Sequence, residues 1–154
     1  MEVGRDKHTE EVGIARVAIL DETGRLLVLH RSDDDEYGAG EPDLPGGTID
    51  PDETAEEAVV RETLEETGVE LAAMVLRRVC EVITTSTADG KATRITRIFF
   101  AACVQSPTIV LSPEHKGFGW EALETAEELF VNSPSKQQCV TETRGLYTSG
   151  SLAA

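Results

Sequence analysis

The sequence predicts an α+β domain, an α/β/α sandwich in which a mixed β-sheet lies between helices. Three observations lead there. Two hairpin signals, Asp21-Glu-Thr-Gly24 and Asp89-Gly90, each separate runs rich in apolar and β-branched residues. A helical stretch with start and stop signals follows the chain break at Pro45-Gly46-Gly47. No βαβ unit repeats along the chain, so strands and helices are interleaved within one layered unit. With 154 residues the chain has room for one sizeable core and not for two.

The elements follow in order. Residues 1–11 are polar and read as a flexible N-terminus, ahead of one domain at 12–147 and a flexible tail at 148–154. Ile14 to Leu20 and Leu26 to His30 read as strands around the first hairpin turn. Residues 31–43 form a polar loop beside the substrate side of the domain. Its Asp33, Asp35 and Gly38 resemble a calcium loop, but Tyr37 and Leu44 occupy positions where oxygen ligands are required, which excludes it. Asp52 or Thr54 caps a helix that runs to Thr67 and stops at Gly68. Val69 to Thr85 holds strand-like segments, and Asp89-Gly90 turns into a strand from Ala92 to Val104. A connection bracketed by Ser106-Pro107 and Ser112-Pro113 precedes a short strand at Gly117 to Trp120. Helices follow, one from about Thr125 to Phe130 and one that begins near Pro134 and fades before Gly145.

Charge and cysteine usage exclude several functions. Fourteen Lys+Arg stand against 29 Asp+Glu, a formal charge of −15. A general nucleic-acid binder needs a basic footprint, and an anionic membrane surface repels such a chain. Cys80, Cys103 and Cys139 are widely spaced and form no C-x-x-C pair, so neither a disulfide framework nor a zinc knuckle is indicated. The charged start is unlike a signal peptide, and the longest apolar run, 98–104, is far short of the ~20 residues a membrane helix needs. The expected location is cytoplasmic.

The acidity concentrates between residues 50 and 66, where Asp50, Asp52, Glu53, Glu56, Glu57, Glu62, Glu65 and Glu66 face only Arg61. At about 100° per residue, Glu62, Glu65 and Glu66 share one arc of the helix, and the preceding turns fill that arc with Ala55, Ala58 and Val59. Two readings follow. The run is a solvated acidic face, as charge runs usually are. Alternatively, three inward carboxylates share hard divalent cations, which would offset their repulsion and lost hydration. Spacing alone leaves both open.

The 23 residues from Gly47 to Val69 resemble the Nudix box, G-x5-E-x7-R-E-U-x-E-E-x-G-U, where U is a bulky aliphatic residue. Gly47, Glu53, Arg61, Glu62, Glu65, Glu66 and Gly68 occupy its fixed positions. Val69 is the final U, and Thr63 stands at the first U, a mild departure toward a β-branched polar residue. Similarity to the MutT-like Nudix hydrolases implies a Nudix-type sandwich. It also implies Mg²⁺-dependent hydrolysis of a nucleoside diphosphate linked to another moiety, with Mn²⁺ as a substitute ion.

Carried over by position, Glu62, Glu65 and Glu66 would be metal ligands, joined by the backbone carbonyl of Gly46. Glu53 would hold the loop–helix geometry, and Arg61 would orient a glutamate. Glu114 stands where relatives often place a further catalytic glutamate. His115 beside it reads as an exposed loop histidine. Arg31, Arg94 and Arg97 are candidates for substrate contacts, although Arg94 and Arg97 point to opposite faces of one strand. Phe118 and Trp120 read as core residues.

The resemblance leaves the substrate open. A nucleoside triphosphate cleaved to monophosphate and pyrophosphate is favoured by the short chain, with ADP-ribose or a nucleotide sugar as the alternative. The proline that marks many ADP-ribose relatives is absent at Ile83 to Ser86. The aromatic that many triphosphatase relatives carry before Leu44-Pro45-Gly46-Gly47 is Pro42 here. A nucleotide-sensing module without turnover is the third reading, and the retained box glutamates weigh against it. The expected partner is a small nucleotide, with homodimers common among similar proteins.

Overall fold

The structure, a computed structural model, describes residues 9–36 and 38–152. The termini expected to be flexible at 1–8 and 153–154 lie outside them. The elements in chain order are β1 (Thr9–Leu20), β2 (Leu26–Arg31), β3 (Pro42–Asp43), β4 (Gly46–Thr48), α1 (Ala55–Thr67), β5 (Arg77–Ala88), β6 (Lys91–Cys103), β7 (His115–Glu121), α2 (Leu123–Leu129) and α3 (Pro134–Thr148). A 3₁₀ turn at Ala73–Val75 leads into β5.

One mixed sheet organises them. β6 lies parallel to β1 over its whole length, from Thr9↔Ala92 to Leu20↔Cys103, and antiparallel to β5. The β1–β2 hairpin is paired only at its base, Leu20↔Leu26, and its strands then part. The gap between them is filled by short pieces. β4 pairs with β1 at Ile14 to Arg16, and β3 pairs with β2 at Leu29 and His30. β7 completes the other edge of β2.

Alternation along β1 divides the core. Ala15, Val17 and Ile19 face α1 together with Leu27, Leu29 and Phe100, against Ala55, Ala58 and Val59. Ala18 and Leu20 face the other way with Phe99 and Ala101, against Phe130 of the α2–α3 connection and Cys139 and Val140 of α3. The result is the α/β/α sandwich that the sequence predicts.

Both turns form as read. Asp21 Oδ1 accepts from the Thr23 and Arg25 backbone N–H groups at 2.9 Å, and Gly24 takes φ +82°. Asp89 and Gly90 have φ of +52° and +76°, the paired positive values that a two-residue hairpin turn requires.

Four expectations are corrected. Thr9 to Glu11 belong to β1, because β6 extends its partner ladder that far. The tail as far as Leu152 is tied down as well, since Arg77 donates to the Ser151 carbonyl at 2.6 Å and Leu152 is buried in the core. α3 continues through Gly145 to Thr148. A glycine costs a helix only ~1 kcal/mol, and here Tyr147, two residues later, covers Gly24, where any Cβ would collide with its ring. Phe118 is exposed, whereas Trp120 packs partly buried beside the α1-side core.

Candidate active site

The box folds as a loop, a capped helix and a left-handed stop. Thr54 accepts from the Glu57 N–H at 3.0 Å while Glu57 accepts from the Thr54 N–H at 2.9 Å, a reciprocal cap worth ~1 kcal/mol. Gly68 ends the helix at φ +76°. Thr63 packs fully buried in place of an aliphatic residue, and its hydroxyl makes no hydrogen bond among the described residues.

Arg61 is the hub of the acidic face. Its Nε and Nη2 donate to the two oxygens of Glu53 at 2.7 and 2.9 Å. Its Nη1 reaches Glu62 at 2.8 Å and Glu65 at 3.2 Å, and Nη2 also reaches the Thr48 carbonyl at 3.2 Å. This fork joins the helix to β4 and to the helix entry. The Arg61 hydrogen bonds hold the Glu53 carboxyl at about 2, and Glu53 in turn raises the Arg61 guanidinium.

The three box glutamates do not share one environment. Glu66 is 5% exposed and accepts from the Gly46 N–H at 2.9 Å. Burial pushes its carboxyl up to about 7, against the opposing pull of that N–H. Burial also raises Glu62, against Arg61. Glu65 is 59% exposed and touches only the rim of the cluster through Arg61. The expectation of an inward trio is therefore corrected to an inward pair. The reason is rotational: at about 100° per residue Glu62 and Glu66 each lie about 20° from Ala55, at the centre of the arc, whereas Glu65 lies about 80° away at its solvent edge.

Two glycines make the pair's approach workable. A Cβ on Gly46, at φ +145°, would overlap the Ala15 carbonyl, so only glycine lets β4 press onto β1 here. A Cβ on Gly47 would overlap the Glu62 carboxylate. Glu62, Glu66, Gly46 and Gly47 consequently line one polar cavity of about 230 Å³, which Arg16, Arg31, Asp43, Glu114 and His115 also line. A larger open groove of about 550 Å³ lies past the end of α1, around Val69, Leu71 and Val104. It contains none of the box carboxylates, so the smaller cavity is the candidate site.

The donor set suits a hard cation. All the candidate ligands are oxygens, and a buried glutamate with one hydrogen bond is costly to ionise unless a cation shares its charge. Among the described residues no three His, Cys, Asp or Glu side chains converge on a common point as they stand. Arg61 holds Glu62 and Glu65 at one end, and Gly46 holds Glu66 at the other.

The remaining expectations divide. Arg31 and Glu114 reach the cavity. Arg94 is exposed and lies outside it. Arg97 lies outside the lining, bonded to Thr84 Oγ1 at 2.8 Å. His115 is not an exposed loop residue: it pairs with Arg31 across β7 and β2, and its side chain is 3% exposed.

A buried charge cluster escaped the sequence reading. Asp43 meets Lys136 at 2.9 Å, Arg16 at 3.1 Å and His115 Nε2 at 3.4 Å. Burial would raise the Asp43 carboxyl, but Arg16, His115 and Lys136 outweigh it and hold the group well below the carboxylate range. A lone aspartate before Leu44-Pro45 gives no sequence signal of this, because its partners come from β1, β7 and α3.

Fold and site together define a sandwich domain that turns an acid-rich helix and a glycine-bearing strand toward one cavity. The chain belongs to the NUDIX family, whose NUDIX domain model matches residues 10–141. It is 50% identical over 54 residues to the "Putative 8-oxo-dGTP diphosphatase" of Bacillus subtilis (strain 168), covering 35% of this chain and 33% of that one. The match spans about a third of the length of each curated relative, 33% and 34%.

Solved structures agree over more of the chain. The MutT protein of Methanosarcina mazei Go1 is 32% identical, with a TM-score of 0.63 over 76% of this chain and 80% of that one. The dihydroneopterin triphosphate pyrophosphohydrolase of E. coli is 26% identical, with a TM-score of 0.67 over 83% and 91%. No helix among the described residues is long and apolar enough to cross a membrane.

Proposed function

We propose that this chain hydrolyses a nucleoside triphosphate to a nucleoside monophosphate and pyrophosphate, with Mg²⁺ as its ion and Mn²⁺ as a substitute. The observation that carries this reading is the buried Glu66, held by the Gly46 N–H in the same cavity as Glu62. Two relatives support a triphosphate. One carries 8-oxo-dGTP in its name and the other dihydroneopterin triphosphate.

Glu62, Glu66 and the Gly46 carbonyl would hold the ion, with Glu65 reaching in from the rim. A divalent ion there supplies charge neutralisation for the phosphate oxygens, which reconciles an acidic site with an anionic substrate. Arg61 holds Glu62 in place, and Glu53 locks Arg61 from behind. Glu114, which lines the cavity, would take the proton from the attacking water. The water oxygen bonds to one phosphorus of the diphosphate bridge as the bond to the bridging oxygen breaks, and that oxygen leaves with pyrophosphate or monophosphate.

A panel of nucleoside triphosphates, ADP-ribose and nucleotide sugars, assayed with Mg²⁺ for each product, tests the reading. Pyrophosphate release from a triphosphate is the expected result. Turnover of ADP-ribose alone, or tight binding with no turnover of any compound, would overturn it.

A further inference from the structure

The two outer strands of the sheet are not protected alike. Among the described residues β7 pairs with β2 alone and β5 with β6 alone. An open edge offers unpaired N–H and C=O groups to any extended chain, and charges, bulges and glycines blunt it. β7 has all three: Lys116 and Glu121, a register shift at His30/Arg31, and Gly117 and Gly119. β5 has Arg77, Arg78 and a register shift before Cys80, all at its start. Beyond Glu81, the run Val82-Ile-Thr-Thr-Ser-Thr-Ala88 holds no charge, proline or glycine, in a chain that is 28% charged. Thr84 to Ala88 are exposed, and Ile83 is 47% exposed.

The hairpin fixes which backbone groups point outward. Ala88 and Lys91 flank the two-residue turn at Asp89-Gly90, so they form a hydrogen-bonded pair, and every second residue back along β5 repeats it. Ser86, Thr84 and Val82 therefore turn their N–H and C=O toward β6. Thr87, Thr85, Ile83 and Glu81 turn theirs to the open side.

We infer that β5 is the contact surface for a second copy of this chain, joined antiparallel about a two-fold axis at Thr84. That register sets Ile83 against Thr85 and Glu81 against Thr87, so every outward residue of both strands is paired, with about eight bonds in all. The carboxylate of the stretch meets a threonine and not its own copy, and Ile83 gains a β-branched neighbour. Each copy contributes its one unprotected edge, so the assembly closes at two. No residue of β5 lines the candidate cavity, and the dimer stands or falls apart from the reaction proposed above.

Sedimentation equilibrium of the full chain over a wide concentration range should show monomer and dimer and nothing larger. Two copies of charge −15 repel, so added salt should tighten the dimer. Thr85→Pro removes one outward N–H per copy and none that faces β6, and should weaken the dimer by about thirtyfold or more. Thr85→Lys keeps the backbone donor and charges the edge, and should weaken it about tenfold. At a dilution where the native chain is monomeric, both variants should melt within a few degrees of it.

Thr84→Cys reads the register. Residues opposite one another in a non-hydrogen-bonded pair stand about 4.5 Å apart at Cα, within the range of a disulfide. Diamide oxidation of this variant should give a cross-linked dimer on denaturing electrophoresis. Ser86→Cys, which faces Val82 of the other copy, should not cross-link. A native chain that stays monomeric at the highest concentration reached would overturn the inference. So would an oligomer larger than two, a dimer indifferent to both Thr85 variants, or cross-linking through Ser86→Cys in place of Thr84→Cys.

Discussion

Gly47 and Glu62 sit so close that the hydrogen of the glycine occupies the only space its neighbour's carboxylate leaves. The strand residue thereby sets the position of a helix side chain fifteen positions later. Gly47→Ala should displace the carboxylate rather than the strand, because the far end of a glutamate gives way more easily than backbone. Activity should fall about tenfold or more, with a melting temperature lowered by only a few degrees. Equal activity in the two proteins would show that Glu62 is not needed where it lies.

The three box glutamates should not be equivalent. Glu66→Gln should cut turnover by at least about 10²-fold, since it removes a buried candidate ligand. Glu65→Gln, at an exposed position, should cost less. Steady-state kinetics at saturating Mg²⁺ ranks them, and a Glu65 variant more damaged than the Glu66 variant would reverse the assignment.

Ion binding and protonation should compete at Glu66. Its folded-state pKa of about 7 lies above the ordinary glutamate value of 4.5, so the folded chain holds the proton more tightly than the unfolded one. The ion-free protein should accordingly lose stability as pH rises from about 4.5 to 7 and level off above that. A divalent cation favours the ionised form, so the gap in melting temperature between Mg²⁺ and EDTA should widen over the same interval. A gap equal at about pH 5 and pH 8 would contradict the assignment.

Asp43 should behave in the opposite way. Its pKa is held below the unfolded value of 3.8, so the stability it contributes is present above that value and is lost as pH falls further. Asp43→Ala leaves Arg16 and Lys136 buried without their shared anion, a loss of about 3–5 kcal/mol. Urea unfolding measures this, and a change under about 1 kcal/mol would mean that the two cations find other partners.

The legible parts of the molecule were those written contiguously. The box lies within 23 residues, the Thr54–Glu57 cap within four, and each hairpin turn within a few. The parted hairpin was not legible. β3 and β4 are two and three residues long, too short for any periodicity, and they are held by distant partners. Asp43, Arg16, Lys136 and His115 were missed for the same reason, because each is a single charged residue on a different element. Helical spacing puts the box acids on one face but does not separate the inward Glu62 and Glu66 from the exposed Glu65.

The long parallel ladder between β1 and β6 joins Thr9 to Ala92 and Leu20 to Cys103. On a ribosome, every fixed residue of the box emerges well before the strand that holds β1 in place, and the lysine on Asp43 emerges later still. Such high contact order makes for slow, late closure. A nascent or truncated product ending near residue 90 would carry all the acids and no platform to aim them, so competence should arrive only after β6 and α3 have been made.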